Sequence, residues 1–447
     1  MILSDAAKAL LKQLNDNGYE AFVVGGCVRD MLMDIPPHDY DITTSATPDE
    51  IKQIFKDYRV IETGLKHGTV TVLFNSESYE ITTYRIESTY SDSRHPDHVI
   101  FTRSLKEDLA RRDFTVNAIA YNPSVGIIDP FNGQGDIQNK TLRCVGIASD
   151  RFTEDALRIM RLIRFASVLG FEIEKATRDA ALNLKERLIY VSEERIQSEL
   201  LKLLCGKEAG KILVEYCDII SAVIPELSSM KSFDQKNIHH IYDVLTHTAK
   251  VVEAIPADKT LRLAALFHDI GKPSVFTLDA DNIGHFYGHA SIGAQMTEDI
   301  LNRLKFDNAT KNTVTRLVKW HDIQIEASEK SVKRALGKMT PAFYFMLLAL
   351  KRADNLAQNP DFFSRQSYYD TLEMLAKNIL LQKACFSMNK LAVNGSDLLS
   401  IGIPSGKKMG LILRTLLNEV INEDIPNEKD LLLKRALELE KDDDYGT

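Results

Sequence analysis

A glycine pair between a short apolar run and the start of a charged helix constrains this chain more than any other feature. Phe22-Val23-Val24 is β-branched and aromatic, and Gly25-Gly26 follows it directly. Such a run favours a strand. Two glycines let the backbone turn tightly and pass close to a ligand, and the sequence predicts a helix over Cys27 to Leu32. Unpaired N–H groups at that helix start suit a phosphate. Pro36-Pro37 then ends the connection and favours an extended chain, so His38-Asp39-Tyr40-Asp41 reads as the approach to a second strand. Asp39 and Asp41, two apart on a strand, would share a face. Paired carboxylates attract hard divalent cations, and Mg²⁺ keeps room in its shell for water and substrate phosphates. The plain alternative is a βαβ turn carrying two solvated aspartates.

The rest of the first third reads as short strands: Arg59 to Glu62, Thr69 to Phe74, Tyr79 to Tyr84 and Val99 to Thr102. Glu80, on an adjacent strand, can face Asp39 and Asp41 as a third ligand. Arg111-Arg112-Asp113-Phe114-Thr115-Val116-Asn117-Ala118 reads as the opening of an apolar helix, with Arg112 suited to triphosphate oxygens and Asp113 to a ribose hydroxyl. A capped helix with a solvated charged end is the other reading. From Arg151 onward helical periodicity takes over, which implies a small α/β head followed by a long helical remainder.

Within that remainder, Thr153 to Phe165 reads as one helix, with Asp155 and Arg158 at i and i+3 and Arg161 continuing the stripe. The pair is either an intrahelical ion pair or a reader of base edges. Arginine can donate to cytosine N3 and O2 while aspartate accepts from N4, and adenine is readable after a small shift. Guanine and uracil present the wrong pattern.

Taken together, Gly-Gly-x-x-Arg-Asp, Asp-x-Asp, Glu-x-Thr-Thr-x-Arg, Arg-Arg-Asp-x-x-x-Asn-Ala, Glu-Asp-x-x-Arg-x-x-Arg and Glu194-Arg195-Ile196 resemble the ordered motifs of class II tRNA CCA-adding enzymes. That family shares its head and neck with bacterial poly(A) polymerases. The resemblance implies a polymerase-β-like head with a small mixed sheet and helices, followed by an all-helical neck, body and tail. It implies Mg²⁺ on Asp39 and Asp41, with Glu80 beside them. Nucleotide contacts would come from Gly25, Gly26, Arg29, Arg112, Asp113, Asp155, Arg158, Arg161 and Arg164. The implied partners are tRNA, CTP and ATP, with poly(A) synthesis or A-only addition as the alternative. A head that binds RNA without turnover is the rival from another class. The polar segment from Arg85 to Phe101 matches a flexible loop that the family uses to switch from CTP to ATP, which favours complete CCA addition or A addition over CC-only activity.

A second set of residues lies further on: His247, then His268-Asp269-Ile270-Gly271-Lys272-Pro273, then His289, His321 and Asp354. Imidazole and carboxylate ligands converging in a helical bundle suit Ni, Mn, Fe or Zn, and a water activated there would hydrolyse a phosphoester. This set resembles the HD-domain phosphohydrolases over roughly residues 240 to 355. The alternative is a helical scaffold without turnover, and His239 and His285 read as bystanders. The expected division is a head over 1–140, a neck over 141–205, a body over 206–370 and a tail over 371–447. In the tail, Gly406-Lys407-Lys408 at a helix start either holds an RNA phosphate or forms a plain loop.

Composition narrows the class without deciding it. A net charge of −8 over 447 residues argues weakly against a nucleic-acid partner, yet Arg143, Arg151, Arg158, Arg161 and Arg164 cluster while Glu440 to Asp444 forms an acidic tail. Five scattered cysteines without Cys-x-x-Cys spacing argue against both a disulfide framework and a zinc knuckle and read as buried thiols. With no apolar run of about 18 residues and no leader-like start, the expectation is a cytoplasmic protein without a membrane or protein partner.

Overall fold

The computed structural model describes residues 2–62, 64–75, 77–87 and 99–442. Of the expected switching segment, Arg85 to Phe101, residues 88–98 lie outside the described residues, as does the end of the acidic tail. Two compact units are present, Met1–Lys231 with Ile300–Phe306, and Ser232–Asp299 with Asp307–Thr447.

In the first unit the strands run in chain order as β1 Ala21–Val24, β2 Asp41–Thr44, β3 Arg59–Ile61, β4 Thr69–Phe74, β5 Glu77–Thr83, β6 Arg85–Glu87, β7 Val99–Phe101, β8 Ala120–Asn122 and β9 Gly126–Ile128. Seven of them form one sheet in the order β3-β4-β5-β2-β1-β8-β9, while β6 and β7 pair separately. The large sheet is mixed: β2 runs parallel to β5, and the other neighbours are antiparallel. Ile42, Val70, Val72 and Ile81 pack with Leu10, Leu11 and Leu14 of the Asp5–Asp16 helix into a buried core. The alternation of β4 and β5 follows from this, since one face of each meets that core.

Helices dominate the rest, but not exclusively. Thr141–Leu142 (β10) pairs in parallel with Glu172–Ile173 (β11), and Thr277–Leu278 (β12) pairs with Gly284–His285 (β13). The all-helical expectation for neck and body is corrected at these two short pairs. In the second unit Asp243, Asp258 and Asp307 each cap a helix through a side-chain oxygen, supplying an acceptor for otherwise orphaned N–H groups. The tail helix runs from Lys407 to Ile421, with Lys407 exposed. Four of the five cysteines are buried and Cys205 is half-buried. Burial, and then Asp41, pushes the Cys27 thiol up to about 12, so it stays protonated.

Candidate active site and a second cluster of metal-ligand side chains

The sheet brings three carboxylates to one end of its central strands. Strand β2 begins at Asp41, opposite Val24 on β1, so Asp41 sits beside the Gly25 turn. On its other side the β2–β5 register pairs Ile42 with Ile81, which puts Glu80 next to Asp41. Asp39 is not on the strand. It lies in the extended lead-in after the prolines, which remove backbone donors and delay pairing until Asp41. All three residues are solvent-accessible. The Asp41 carboxyl is nonetheless raised above the ordinary aspartate value, first by the protein mass around it and then by Asp39 and Glu80, against a lowering by Arg112. Carboxylates that repel one another at an open strand end are a donor set suited to a hard divalent cation.

Beside them lies a bed of arginines. Gly25 has φ +76°, and a Cβ there would come within 2.9 Å of Arg112 Nη1, so glycine permits both the turn and the approach of the guanidinium. The helix after it spans Gly26–Leu32 and presents Arg29. Arg29 donates to Asn117 Oδ1 at 2.7 Å and to Asp30, and its guanidinium lies 5.2 Å from the Phe165 ring centre. Arg161 and Arg164 approach the same ring at 5.4 and 3.6 Å. Arg164 also pairs with Glu199. Arg112 Nε is buried without a hydrogen-bond partner among the described residues, and its Nη2 reaches Asp108 only at 3.9 Å. A guanidinium with unused donors beside a carboxylate cluster is arranged for an anion.

Two expected helices, one opening at Arg111 and one over Thr153 to Phe165, are not continuous. The Leu105–Ala110 helix stops before Arg111, and Thr115–Asn117 forms one 3-10 turn leading into β8. Asp113 explains the break, because its Oδ1 accepts from the Phe114 N–H at 2.8 Å and from Asn117 Nδ2 at 3.1 Å, competing with helical bonding. Its Oδ2 accepts from Arg161 Nε at 2.8 Å and Nη2 at 2.7 Å. These four contacts turn the Asp113 carboxylate toward the protein, so the expected ribose contact requires one of them to give way. Burial raises its carboxyl, but Arg161 and Asn117 outweigh burial and hold it at about 2.

The second break falls at Asp155. Ala148–Glu154 and Leu157–Leu169 are separate helices, with Asp155 extended between them and its Oδ1 capping Leu157 N–H at 3.0 Å. Asp155 pairs with Arg195 at 2.8 Å. Arg158 pairs with Glu154 at 2.8 Å and donates to the Arg111 carbonyl at 2.8 Å. The i, i+3 spacing expected of one helix does not apply here, because the rule holds only where the helix is continuous.

Several organising residues escape a reading of motifs. Asp108, fully buried, accepts from Thr43 Oγ1, the Arg85 N–H and Arg111, and so ties β2 to the double-arginine turn. Glu154 holds Arg151 and Arg158, Arg195 holds Asp155, and Glu199 holds Arg164. Asn117, Glu154 and Arg195 fall inside the recognised motifs, whereas nothing local distinguishes Asp108 from a surface acid.

In the second unit the six expected ligands do converge. His247 lies on the Val244–Ala254 helix, His268 directly follows Lys259–Phe267, His289 opens His289–Arg303, His321 follows Asn308–Trp320, and Asp354 lies on Pro341–Leu356. A Cβ on Gly271 would come within 2.4 Å of the His289 carbonyl, so glycine lets that helix meet the His-Asp corner. The Nδ1 atoms of His247, His268, His289 and His321 face the carbonyls of Ala357, Ala265, Phe286 and Val318 at 3.3, 2.8, 2.8 and 2.6 Å. That fixes the tautomer and leaves each Nε2 turned inward as a ligand atom. Asp269 Oδ2 stands 3.4 and 3.2 Å from the Nε2 atoms of His247 and His268, and Oδ1 stands 3.6 and 3.7 Å from those of His289 and His321. Asp354 Oδ1 is 3.1 Å from His247 Nε2. The donor set fits borderline transition metals, with room for an ion on either side of Asp269. Despite burial, neighbouring imidazoles and Lys272 hold Asp269 well below the usual carboxylate range. Burial, then His268, keeps His321 neutral, lowered to about 3. Neutral imidazole and ionised carboxylate are the forms that bind metal.

Comparison with known proteins converges on one family. The family models matched are the Poly A polymerase head domain over residues 21–143, an RNA and SrmB-binding site of polymerase A over 170–231, and tRNA nucleotidyltransferase domain 2 over 283–436. The CCA-adding enzyme of Lactobacillus delbrueckii subsp. bulgaricus is 36% identical over 425 residues, spanning 95% of both chains. The chain belongs to the CCA-adding enzyme family. The Lactiplantibacillus plantarum CCA-adding enzyme is likewise 36% identical, over 96% of this chain and 95% of its own. The crystal structure of the Bacillus stearothermophilus CCA-adding enzyme in complex with CTP matches with TM-score 0.72 and 29% identity, covering 97% of this chain and 96% of that one. As a member of the CCA-adding enzyme family the chain is a nucleotidyltransferase with a sheet-and-helix head and a mostly helical remainder. Among the described residues no helix is long and apolar enough to cross a membrane.

Proposed function

We propose that this protein adds CCA to the 3′ end of tRNA without a nucleic-acid template, taking CTP and ATP in the cytoplasm. One observation carries the reading: the open Asp39, Asp41 and Glu80 cluster stands beside Arg112, whose buried Nε has no hydrogen-bond partner among the described residues. The RNA 3′-hydroxyl attacks the nucleotide α-phosphate and pyrophosphate leaves. Asp39 and Asp41, supported by Glu80, would hold Mg²⁺, which when bound supplies Lewis-acid stabilisation to the attacking and leaving oxygens. Arg29 and Arg112 neutralise triphosphate charge, and the Gly25-Gly26 turn lets the phosphates come close to the backbone. Arg161, fixed by Asp113, and Arg164, stacked on Phe165, complete the basic bed. Asp155 and Arg158 read the base edge, each oriented by an acid-base partner, Arg195 and Glu154. The head, neck, body and tail division given above is proposed to separate these duties, with tRNA contacts in the neck and around Lys407.

The helical cluster is proposed as a second active centre, a metal-dependent phosphohydrolase. Ni, Mn, Fe or Zn bound by its four imidazoles and two carboxylates would activate water for attack on a phosphoester. Two assays separate the centres. Asp41→Ala should lower nucleotide addition by at least about a hundredfold, the scale of losing a transition-state electrostatic contact, while phosphoester hydrolysis persists. His268→Ala with Asp269→Ala should do the reverse. Wild-type protein inert toward phosphoesters with Ni²⁺, Mn²⁺ and Mg²⁺ alike would reduce the helical centre to a scaffold.

A further inference from the structure

The carboxylate of Asp108 takes no part in the addition chemistry proposed above, yet it is fully buried beside both halves of the nucleotide site. A buried carboxylate is costly unless partners surround it. Those of Asp108 come from two strands and from the turn that ends its own helix. Oδ2 is 3.2 Å from Thr43 Oγ1, on β2 two residues beyond Asp41. Oδ1 accepts from the Arg85 N–H at 3.3 Å, at the start of β6, and from Arg111 Nε and Nη2 at 3.0 and 2.8 Å.

Arg111 ends the Leu105–Ala110 helix, and its carbonyl accepts from Arg158 Nη2 at 2.8 Å. The Ala110 carbonyl beside it accepts from Arg151 Nη1 at 3.2 Å. Two neck arginines therefore dock on the last carbonyls of a helix that Asp108 fastens to the sheet. That end of a helix carries unpaired carbonyls and attracts cations.

We propose that Asp108 is a positioning residue for base selection, holding the base-reading Arg158 in register with the strand that carries the metal-binding Asp41. The inference rests on the nucleotide-addition reading given above and deepens it. A nucleotide presents its base edge and its α-phosphate at a spacing that the ribose fixes, so a protein reading the base without a template must hold reader and metal ligands at one separation. Asp41 and Arg158 belong to a strand and a helix far apart in the chain. Asp108 spans them through three short links: to Thr43, to the Arg111 side chain, and from the Arg111 carbonyl to Arg158. Misplacing a reacting group by about 1 Å can cost about a hundredfold in rate even when the cause lies away from the chemistry. Arg112, next to Arg111, meets Asp108 Oδ2 only at 3.9 Å and serves the triphosphate, which every nucleotide shares. A disturbance passed through Arg112 acts on all nucleotides alike, whereas one passed through Arg111 acts on base choice.

The test measures kcat/KM for CTP and for UTP with the full chain, Mg²⁺ and a tRNA lacking its terminal CCA. Asp108→Asn keeps the side-chain shape and an oxygen for the Arg85 N–H but loses the charge that holds the Arg111 guanidinium. It should lower the CTP-to-UTP ratio of kcat/KM by at least about tenfold, the factor to which a hydrogen bond to a charged group corresponds. Arg111→Met should lower the ratio similarly, and the double variant no further than either alone, because both cut one chain of contacts. Gly18→Ala controls for lost stability: strained at φ +85° with nothing within 4 Å of its Cβ, it should lower the thermal midpoint and keep the wild-type ratio. An unchanged ratio in Asp108→Asn, with both nucleotides slowed alike, would overturn the inference, as would single-variant factors that multiply in the double variant. Should Asp108→Asn fail to fold by circular dichroism, an unchanged ratio in Arg111→Met would overturn it equally. Wild type that adds no nucleotide would overturn the addition reading and this inference together, whereas wild-type selection of CTP with unmoved variant ratios would overturn this inference only.

Discussion

Removing Arg161 should reveal how much stability the junction between sheet and neck draws from one buried charge. Asp113 is held at about 2 against an ordinary 3.8, because Arg161 and Asn117 outweigh the burial that opposes them. At 1.36 kcal/mol per unit that shift corresponds to about 2 kcal/mol of stability at neutral pH. The carboxyl is depressed in the folded state, so the contribution is fully present above the unfolded value near 4 and is lost as pH falls from there toward 2. Arg161→Met leaves Asp113 buried with its main counter-charge gone, and burial then raises the carboxyl instead. The variant should lose about 2 kcal/mol at pH 7, below the roughly 3–5 kcal/mol of a fully buried pair, because the Arg161 side chain is 34% exposed and water screens it. The deficit should shrink between pH 7 and pH 4, as Asp113 protonates in the variant. Urea titration read by hydrogen exchange in peptides covering Leu157 to Leu169 reports this region apart from the second unit. Arg161→Met with Asp113→Asn should recover part of the loss. A deficit below about 0.5 kcal/mol at pH 7, or one equally large at pH 4, would refute the buried-charge argument.

Gly25→Ala and Gly18→Ala both place alanine at positive φ, +76° and +85°, but only the Gly25 Cβ would meet Arg112, whereas nothing lies within 4 Å of the Gly18 Cβ. Each should cost about 1–3 kcal/mol of stability by thermal unfolding, and only Gly25→Ala should raise KM for CTP; an equal KM effect in both would count against Arg112 as a triphosphate contact. Arg195→Met should blur discrimination between CTP and UTP by about tenfold, since freeing Asp155 loosens a group that must meet one base edge; unchanged incorporation ratios would leave Arg195 a purely structural residue. Metal content by plasma mass spectrometry after loading with Ni²⁺ or Mn²⁺ should fall further in Asp269→Asn than in Asp354→Asn, because Asp269 faces both histidine pairs and Asp354 only one; the reverse order would contradict the ligand geometry.

What the sequence made legible was local in its causes. Thr69 to Phe74 is a strand because alternate side chains meet the core, and both expected boundaries hold. The Gly25 turn follows from a conformation that glycine adopts without strain. That four histidines and two aspartates of the helical unit come together is legible because each histidine and the His-Asp corner carry chemical identity wherever the helices place them. Misreadings arose where a side chain competed with its own backbone. Asp113 and Asp155 each accept N–H bonds a residue or two ahead, which ends a helix that periodicity alone would continue. Long-range partners were hidden for a different reason. Arg195 meets Asp155 from 40 positions away, and Asp108 gathers Thr43 and Arg85 from 65 and 23 positions away, so neither contact leaves a spacing that sequence can register.

The central claim is nucleotide addition at Asp39 and Asp41 to a tRNA end. The most direct measurement gives purified protein a tRNA lacking its terminal CCA with CTP, ATP or both, and reads the added residues at single-nucleotide resolution. CTP alone should add two C residues and stop, both nucleotides should complete CCA and stop, and Asp41→Ala, folded by circular dichroism, should add nothing. A lengthening A tract from ATP alone, or wild-type addition by Asp41→Ala, would contradict the account.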